Sequence, residues 1–156
     1  MNFKRPAITI GLTAFKEGPM LKEAWESIKE QTSINWEAII ILDGGADEIT
    51  RGIFNSISHS SIRKIELTEN KGPYHTRTMA INESYAAWYV HLDGDDRLAP
   101  NTVKLIEETI SKDSQIEFIR GMSLYFNEFN FFIKTNREFD LEKLAYTLPV
   151  TGTSPI

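Results

Sequence analysis

The sequence contains no cysteine, which excludes a disulfide framework and any thiolate metal site. It has no apolar run near the roughly 20 residues that a membrane-spanning helix needs, and its first residues lack the apolar segment typical of a signal peptide. Basic residues are in the minority, because 17 Lys and Arg stand against 22 Asp and Glu. The formal net charge of −5 argues against non-specific nucleic-acid binding, so we expect no nucleic-acid partner.

What the chain does contain is a series of short apolar runs separated by amphipathic segments. The runs predict strands at residues 7–12, 36–42, 62–67 and 87–92. Gly18-Pro19 opens an amphipathic helix, and further helices are predicted at residues 47–58, 74–84 and 100–112. Strands that alternate with helices predict an α/β fold, with a mostly parallel central sheet covered by helices on both faces.

After residue 112 the pattern changes. Residues 116–125 and 129–134 have the composition of strands, with Asn127-Glu128 as a turn between them, and a short helix is predicted from Glu138. The segment 151–156 resembles the start of another strand more than a finished terminus. Because no linker interrupts the chain, we predict a single domain over residues 1–156, and we expect it to be incomplete.

The most informative feature is an acidic cluster at the end of the fourth strand. The run from Trp88 to Leu92 predicts a buried strand, and Asp93, Asp95 and Asp96 follow it. Unpaired buried carboxylates are costly, and ligands of open α/β sheets bind outside the carboxyl ends of strands. The cluster therefore suits a hard divalent cation that also takes substrate phosphates. The alternative interpretation is an acidic turn before a helix.

Three other strand ends carry polar or glycine-rich segments. They are residues 13–17, 43–45 and 70–72, the last followed by Arg77. In this order and spacing, the four segments resemble the nucleotide-sugar-binding half of family 2 glycosyltransferases over residues 8–110. The resemblance implies a Rossmann-like GT-A fold, truncated before the acceptor half. Residues 1–112 would then be the nucleotide-sugar-binding part and residues 113–156 the start of the acceptor-side part.

The resemblance also implies roles in nucleotide binding for the first two segments. Thr13 would line the donor site, Phe15 would stack on uracil, and Glu17 matches a family Glu, whereas Lys16 replaces a family Asn. Asp43 would accept the imide N–H of uracil. From the residues alone, Phe15 is equally compatible with a core position, and Asp43 with a turn or a helix cap.

The third segment would hold the phosphates. The resemblance gives Asn70, Gly72 and Arg77 donor-binding roles, although Thr78 replaces a family Asn and Ala80 a family Gly. Gly72 lets the backbone approach a ligand, and the N-terminus of the following helix favours phosphate. Taken alone, an Arg one turn into a helix is most often solvated.

The fourth segment would bind the metal. By resemblance, Asp95 coordinates Mn²⁺ or Mg²⁺, Asp93 contacts the metal or its water as well as the ribose, Gly94 allows close backbone approach, and Asp96 lies near the sugar. His91 is predicted to be a packed, hydrogen-bonded strand residue.

The implied reaction is metal-dependent, inverting transfer of a hexose from a nucleotide-diphosphate sugar, a UDP-sugar in our reading, to an acceptor hydroxyl. The acceptor would be a saccharide, a lipid-linked molecule or a protein, as in polysaccharide biosynthesis. We expect a cytoplasmic protein that works at the inner face of a membrane. The general base is expected downstream of the chain, so that the chain alone would be inactive. Two alternatives stay open: a nucleotidyltransferase-like enzyme and a non-catalytic nucleotide-sugar-binding module.

Overall fold

The computed structural model of the protein describes residues 6–121, together with the backbone of residues 123–125 and 131–133. Four strands and four helices alternate along its first part: β1 (Ile8–Ala14), α1 (Met20–Lys29), β2 (Trp36–Leu42), α2 (Glu48–Ser56), β3 (Ile62–Glu66), α3 (Pro73–Asn82), β4 (Trp88–Asp93) and α4 (Thr102–Lys112). All four strands are parallel, in the order β3-β2-β1-β4. The predicted α/β fold class is confirmed.

The two central strands carry the core. Every residue of β1 is buried, and β2 is buried apart from Glu37. Side chains of β2 alternate between two clusters, so that Ala38 and Ile40 pack on α1, α2 and α4, whereas Ile39 and Ile41 pack on α3. Helices therefore cover both faces of the sheet, as the continuous apolar runs predicted.

The strand register brings the four predicted segments to one edge. Thr13 pairs with Ile41 on one side and with Asp93 on the other, and Leu42 pairs with Glu66. The strands thus end at nearly the same level, and the loops that follow them are neighbours. We call this the carboxyl edge of the sheet, formed by residues 13–17, 43–45, 70–72 and 93–96.

The prediction that β4 is a buried strand is wrong. Only Leu92 is buried, and the other residues of β4 are half-buried. The reason is its place in the sheet: in the part of the chain that the structure describes, β4 pairs with β1 alone and forms an edge. Local apolarity does not distinguish an edge strand from a central one.

The predicted strand at residues 116–125 is also too long. Residues 116–121 are irregular and mostly exposed, because no strand in the described residues pairs with them. Beyond them, β5 (Ser123–Tyr125) and β6 (Phe131–Ile133) form an antiparallel pair. The turn at Asn127-Glu128, the helix from Glu138 and the segment 151–156 lie outside the described residues.

Chain contacts divide the protein into two compact units, Met1–Ile116 and Glu117–Ile156. The first unit contains the four-stranded sheet and its helices. The single domain over residues 1–156 stays a prediction. Among the described residues, no helix is both long and apolar enough to cross a membrane.

One glycine in β1 makes room for an aromatic side chain of β4. A Cβ placed on Gly11 would lie 2.0 Å from the hydroxyl oxygen of Tyr89 and 2.6 Å from Cζ. Tyr89 belongs to the cluster under α3, and its hydroxyl is buried without a hydrogen-bond partner in the described structure. The pKa of this hydroxyl is raised to about 12, chiefly by burial, with a smaller lowering effect of the Arg77 charge and a smaller raising effect of the Asp93 charge.

We predict that Gly11→Ala destabilises the protein by about 1–3 kcal/mol, the usual cost of overpacking a filled core. Gly52→Ala is the matched control, because Gly52 is exposed within α2 and an added Cβ would meet nothing within 4 Å. Replacing a helical Gly with Ala should stabilise the protein by about 0.5–1 kcal/mol. Urea unfolding of both variants tests this, and an unchanged midpoint for Gly11→Ala would mean that Tyr89 does not pack against β1.

Candidate active site at the carboxyl edge

Asp43 is the anchor of the carboxyl edge. Its buried carboxylate accepts three backbone hydrogen bonds, from the N–H groups of Gly44 (2.9 Å) and Lys71 (2.9 Å) to Oδ1 and from that of Gly72 (2.8 Å) to Oδ2. These bonds fasten the segment before α3 to the end of β2. A carboxylate has about four acceptor sites, so one on Oδ2 stays available to a ligand. Asp43 thus joins two loops, which is a structural role different from the local turn or helix cap of the alternative interpretation, because the N-cap of α2 is Asp47 and that of α3 is Gly72. Its contact with a base remains a prediction.

Two glycines shape the segments on either side of Asp43. A Cβ on Gly44 would lie only 2.2–2.5 Å from backbone atoms of Glu69, so these two loops touch through their main chains. Gly72 has φ of +81° at the N-cap of α3 and is followed by Pro73 at the start of the helix. That left-handed conformation favours glycine, which explains the residue without reference to a ligand. Asn70 is exposed beside it.

The loop after β1 is held from two sides. Within the loop, the Phe15 N–H donates to Glu17 Oε2 over 2.6 Å. At its end, the Gly18 N–H donates to Thr50 Oγ1 (2.8 Å), and Thr50 is itself fixed by Asp47, the N-cap of α2. The Phe15 ring is half-buried beside Gly45, which agrees with neither a full core position nor a fully exposed one.

Asp93 at the end of β4 is surrounded by donors. Arg77 Nη2 donates to both carboxylate oxygens, at 2.9 and 2.8 Å, and Thr13 Oγ1 donates to Oδ1 over 3.4 Å. His91 Nε2 lies 2.6 Å from Oδ1, and Arg77 Nε lies 2.9 Å from the same imidazole nitrogen. The structure therefore brings together Thr13, Arg77 and Asp93, three of the predicted residues.

His91 was predicted to be a packed, hydrogen-bonded strand residue, and it does lie at hydrogen-bond distance from Asp93 and Arg77, but sequence reasoning did not place it in the candidate site. A signal was available: positions 91 and 93 of a strand share one face, so a strand over residues 87–92 that ends at Asp93 puts the imidazole beside the carboxylate. Tyr89 shares that face as well.

Comparison with known proteins decides the family. The family model described as glycosyl transferase family 2 matches residues 9–148, which is most of the chain. The chain belongs to glycosyl transferase family 2. The resemblance in the four carboxyl-edge segments is thereby confirmed at the level of the family.

Two curated relatives of the chain have names that refer to the synthesis of bacterial polymers. The teichoic acid poly(glycerol phosphate) polymerase of Staphylococcus epidermidis is 33% identical over 94 residues, which is 59% of this chain and 13% of that protein. The succinoglycan biosynthesis protein ExoO of Rhizobium meliloti is 28% identical over 114 residues, 72% of this chain and 32% of that protein. The chain thus spans about a third or less of the length of these relatives.

Solved structures show the same fold. The S. aureus TarS 1-349 complex with UDP matches with a TM-score of 0.62 at 16% identity, over 69% of this chain and 32% of that one. The mannosyltransferase PcManGT from Pyrobaculum calidifontis, in complex with GDP-Man and Mn²⁺, matches with a TM-score of 0.59 at 20% identity, over 70% of this chain and 33% of that one. Both are GT-A enzymes, so the predicted GT-A fold is confirmed.

The carboxylates of the carboxyl edge have opposite pKa shifts. Burial alone would raise the pKa of Asp93, but hydrogen bonds from His91 and Arg77, together with the charge of Arg77, lower it to about 2. Burial raises the pKa of Glu17 and of Asp96, and the negative charges of Asp95 and Asp93 raise both further. Of these three carboxylates, only Asp93 has its charge compensated by a neighbouring cation, Arg77. The site therefore has an excess of negative charge.

Gly94 brings the acidic segment against the loop after β1. A Cβ on Gly94 would lie 3.0 Å from the Thr13 carbonyl oxygen and 3.1 Å from Glu17 Cγ. Glu17 is therefore close to the acidic segment, and this explains why the charges of Asp95 and Asp93 act on its pKa. A divalent cation would relieve this repulsion, because its charge favours ionised carboxylates.

The donor set fits a divalent cation that is completed by substrate. Within the described residues, no group of three or more His, Asp or Glu side chains is arranged to hold a metal by itself. Mg²⁺-type ions are commonly held by one or two carboxylates plus substrate phosphates, so a full protein cage is not required. Asp95 is exposed at the edge and suits this role, whereas both oxygens of Asp93 already face Arg77.

We predict opposite pH effects for two substitutions. The pKa of Asp93 is below its ordinary value of 3.8 in the folded protein, so its carboxylate contributes stability above pH 4 that is lost as the pH falls toward 2. Asp93→Asn should therefore lower stability by about 1–2 kcal/mol at pH 7, with a smaller loss at pH 3. The pKa of Glu17 is raised, so its charge destabilises the folded state as the pH rises through that pKa. Glu17→Gln should be more stable than wild type at pH 7, and the gain should shrink at acid pH.

Urea unfolding at pH 7 and at pH 3 measures both effects. If Asp93→Asn lost as much stability at pH 3 as at pH 7, the ionised carboxylate would not be the source of the effect. A Glu17→Gln variant less stable than wild type at pH 7 would contradict the repulsion assigned to Glu17.

We also predict that Asp43→Ala destabilises the protein by about 2–4 kcal/mol, because it leaves three backbone N–H groups without their acceptor. Asp113→Ala is the matched control, since Asp113 follows α4 on the surface and accepts one local bond, from the Gln115 N–H (2.9 Å). Its effect should stay within about 0.5 kcal/mol. Equal midpoints for the two variants in urea unfolding would show that Asp43 does not anchor the segment before α3.

Proposed function

We propose that the carboxyl edge binds the donor of a metal-dependent, inverting hexosyltransferase, and that this donor is a UDP-sugar. The observation that carries the proposal is the juxtaposition of Arg77 with Asp93, Asp95 and Asp96 beside the N-terminus of α3. A cation, an acidic metal-binding segment and a helix N-terminus are the elements that a nucleotide diphosphate needs.

Recognition of the base rests on the first two segments. The half-buried Phe15 ring offers a stacking surface, with Lys16 Nζ 4.7 Å from the ring centroid. The acceptor site left on Asp43 Oδ2 matches the imide N–H of uracil. TarS with UDP and UDP-GlcNAc supports a uridine donor, whereas PcManGT with GDP-Man shows that the fold also takes guanosine donors.

The residues divide the work on the leaving group. Arg77 would contact the diphosphate, and Asp95 would hold a Mn²⁺ or Mg²⁺ ion, which would supply Lewis-acid assistance to the leaving group. Asp93 would contact the ribose or the metal's water, and Asp96 would lie toward the sugar. The acceptor is a hydroxyl of a saccharide, a lipid-linked molecule or a protein. The names of the teichoic acid and succinoglycan relatives support a polysaccharide product.

Family membership favours glycosyl transfer over nucleotidyl transfer. A nucleotidyltransferase also needs a basic, glycine-rich triphosphate loop after its first strand. Here that loop contains Phe15, the single base Lys16 and Glu17, whose charge would repel a triphosphate. A non-catalytic binding module predicts the same donor binding, and turnover of a nucleotide sugar separates it from the enzyme.

We predict that UDP stabilises the protein strongly only when Mn²⁺ is present. Ligand at 100 times its dissociation constant should add about 2.7 kcal/mol of stability. Asp95→Asn should abolish the difference between Mn²⁺ and chelator without lowering the melting temperature of the free protein, because Asp95 is exposed and its charge repels Glu17 and Asp96. The control is Glu30→Gln, an exposed carboxylate at the end of α1, which should respond to UDP and Mn²⁺ like wild type.

Thermal unfolding with UDP, Mn²⁺ and chelator in all combinations tests the proposal. Equal stabilisation by UDP with chelator and with Mn²⁺ would remove the metal from the proposal. Stabilisation by ADP as large as that by UDP would remove the uridine donor.

A further inference from the structure

We propose that His91 is a positioning residue of the donor site: its Nε2–H holds the Asp93 carboxylate in place, so that Arg77 can move from Asp93 to the donor's diphosphate. The inference rests on the proposed function, since it assigns Arg77 a phosphate to move to. Its geometric basis is that one ring nitrogen, His91 Nε2, is close to both partners: it lies 2.6 Å from Asp93 Oδ1 and 2.9 Å from Arg77 Nε.

The two short distances cannot both be good hydrogen bonds. Arg77 Nε is always a donor and the carboxylate of Asp93 is an acceptor, so a neutral imidazole nitrogen between them either donates to Asp93 or accepts from Arg77. The other ring nitrogen decides between these tautomers. His91 Nδ1 is buried and has no hydrogen-bond partner in the described structure.

A proton on Nδ1 would create a buried N–H without an acceptor, and it would place the Nε2 lone pair against a carboxylate oxygen. A proton on Nε2 gives Asp93 a close donor and leaves Nδ1 only an unused lone pair. Unpaired buried N–H groups are rarer and more costly than unpaired acceptors. The geometry therefore assigns the Nε2–H tautomer, in which His91 donates to Asp93.

This assignment weakens the attachment of Arg77. With a proton on His91 Nε2, the Nε–H of Arg77 faces another donor and loses its acceptor. Arg77 then holds Asp93 through Nη2 alone, instead of through the two parallel bonds of a bidentate pair. Its side chain is 45% exposed on α3, so little packing opposes a rotation toward a ligand.

His91 has the opposite properties. It lies within β4, two residues before Asp93 on the same face, and its side chain is 28% exposed. A strand residue whose inner ring nitrogen is buried cannot follow a ligand. Asp93 thus has a close fixed donor, His91, a longer contact from Thr13 (3.4 Å) and one mobile donor, Arg77. The close fixed donor keeps the carboxylate oriented after the mobile one has left.

Two substitutions separate hydrogen bonding from packing. His91→Gln keeps an N–H donor near the position of Nε2, whereas His91→Phe keeps an aromatic ring without a donor. We expect the dissociation constant for UDP with Mn²⁺ to rise at least about tenfold in His91→Phe, the loss of one charge-assisted bond, and to stay within about threefold in His91→Gln. Calorimetry measures both, with folding checked by urea unfolding.

A double-mutant cycle tests whether His91 acts through Asp93. In an Asp93→Ala background, His91→Phe should weaken UDP binding no further. Equal losses in His91→Gln and His91→Phe, or an undiminished loss in the Asp93→Ala background, would overturn the proposal and leave His91 a packing residue.

A readout without nucleotide keeps this inference separate from the proposed function. Ring ¹⁵N NMR of the free protein distinguishes the tautomers, and the signal of His91 is the one of three that His91→Gln removes. We expect Nε2–H, and an Nδ1–H tautomer would overturn the proposal even if UDP binds. If wild type fails to bind UDP, the donor site is wrong, and an Nε2–H signal would still support the bond from His91 to Asp93.

Discussion

The carboxyl edge depends on the compensation of one buried charge. An ionised carboxylate without partners would not persist inside a protein, and Asp43 persists because three main-chain N–H groups converge on it. Those N–H groups belong to two segments, the turn after β2 and the entry to α3. The hydrogen bonds that stabilise the buried Asp43 carboxylate therefore also fix the position of the start of α3. Arg77 lies on this helix, so the same bonds set its position relative to Asp93.

The electrostatic design of the site follows from which carboxylates have partners. Asp93 has Arg77 and His91 beside it, whereas burial is the main cause that raises the pKa of Glu17 and of Asp96, and the charges of Asp95 and Asp93 add to it. An acidic site of this kind has a natural affinity for cations. A nucleotide diphosphate would be repelled unless a metal ion came with it, and this is the physical reason to expect donor and metal to bind together.

Much of the fold could be predicted from the sequence because its signals are local. Periodicity located all four parallel strands and the helices between them, and the segments at the strand ends are neighbours because parallel strands with similar registers end together. The exposure of β4 could not be predicted, since it depends on which strands are its neighbours. The strand predicted at residues 116–125 was too long for the same reason, because the extent of a strand also depends on the strands that pair with it.

The site itself was predictable as a set of residues but not as a set of contacts. Thr13, Arg77 and Asp93 were selected for a ligand, and in the structure they contact one another. The link that Asp43 makes between two loops was not predicted, because its partners Lys71 and Gly72 lie 28 and 29 residues away in the chain. His91 was expected to be packed and hydrogen-bonded, but its contact with Arg77 depends on how α3 packs beside β4 and could not be predicted.

The bonds from Lys71 and Gly72 to Asp43 also have a topological meaning. They join positions 28 and 29 residues apart, so the chain between them, with α2 and β3, is a loop closed at its base by side-chain hydrogen bonds. The entropy of closing a loop grows only with the logarithm of its length, and doubling the length costs about 0.6 kcal/mol. Insertions at the exposed residues 58–60, far along that loop from its base, would therefore leave the carboxyl edge nearly unchanged. The segment between Asp43 and Lys71 can therefore vary in length while the carboxyl edge keeps its geometry.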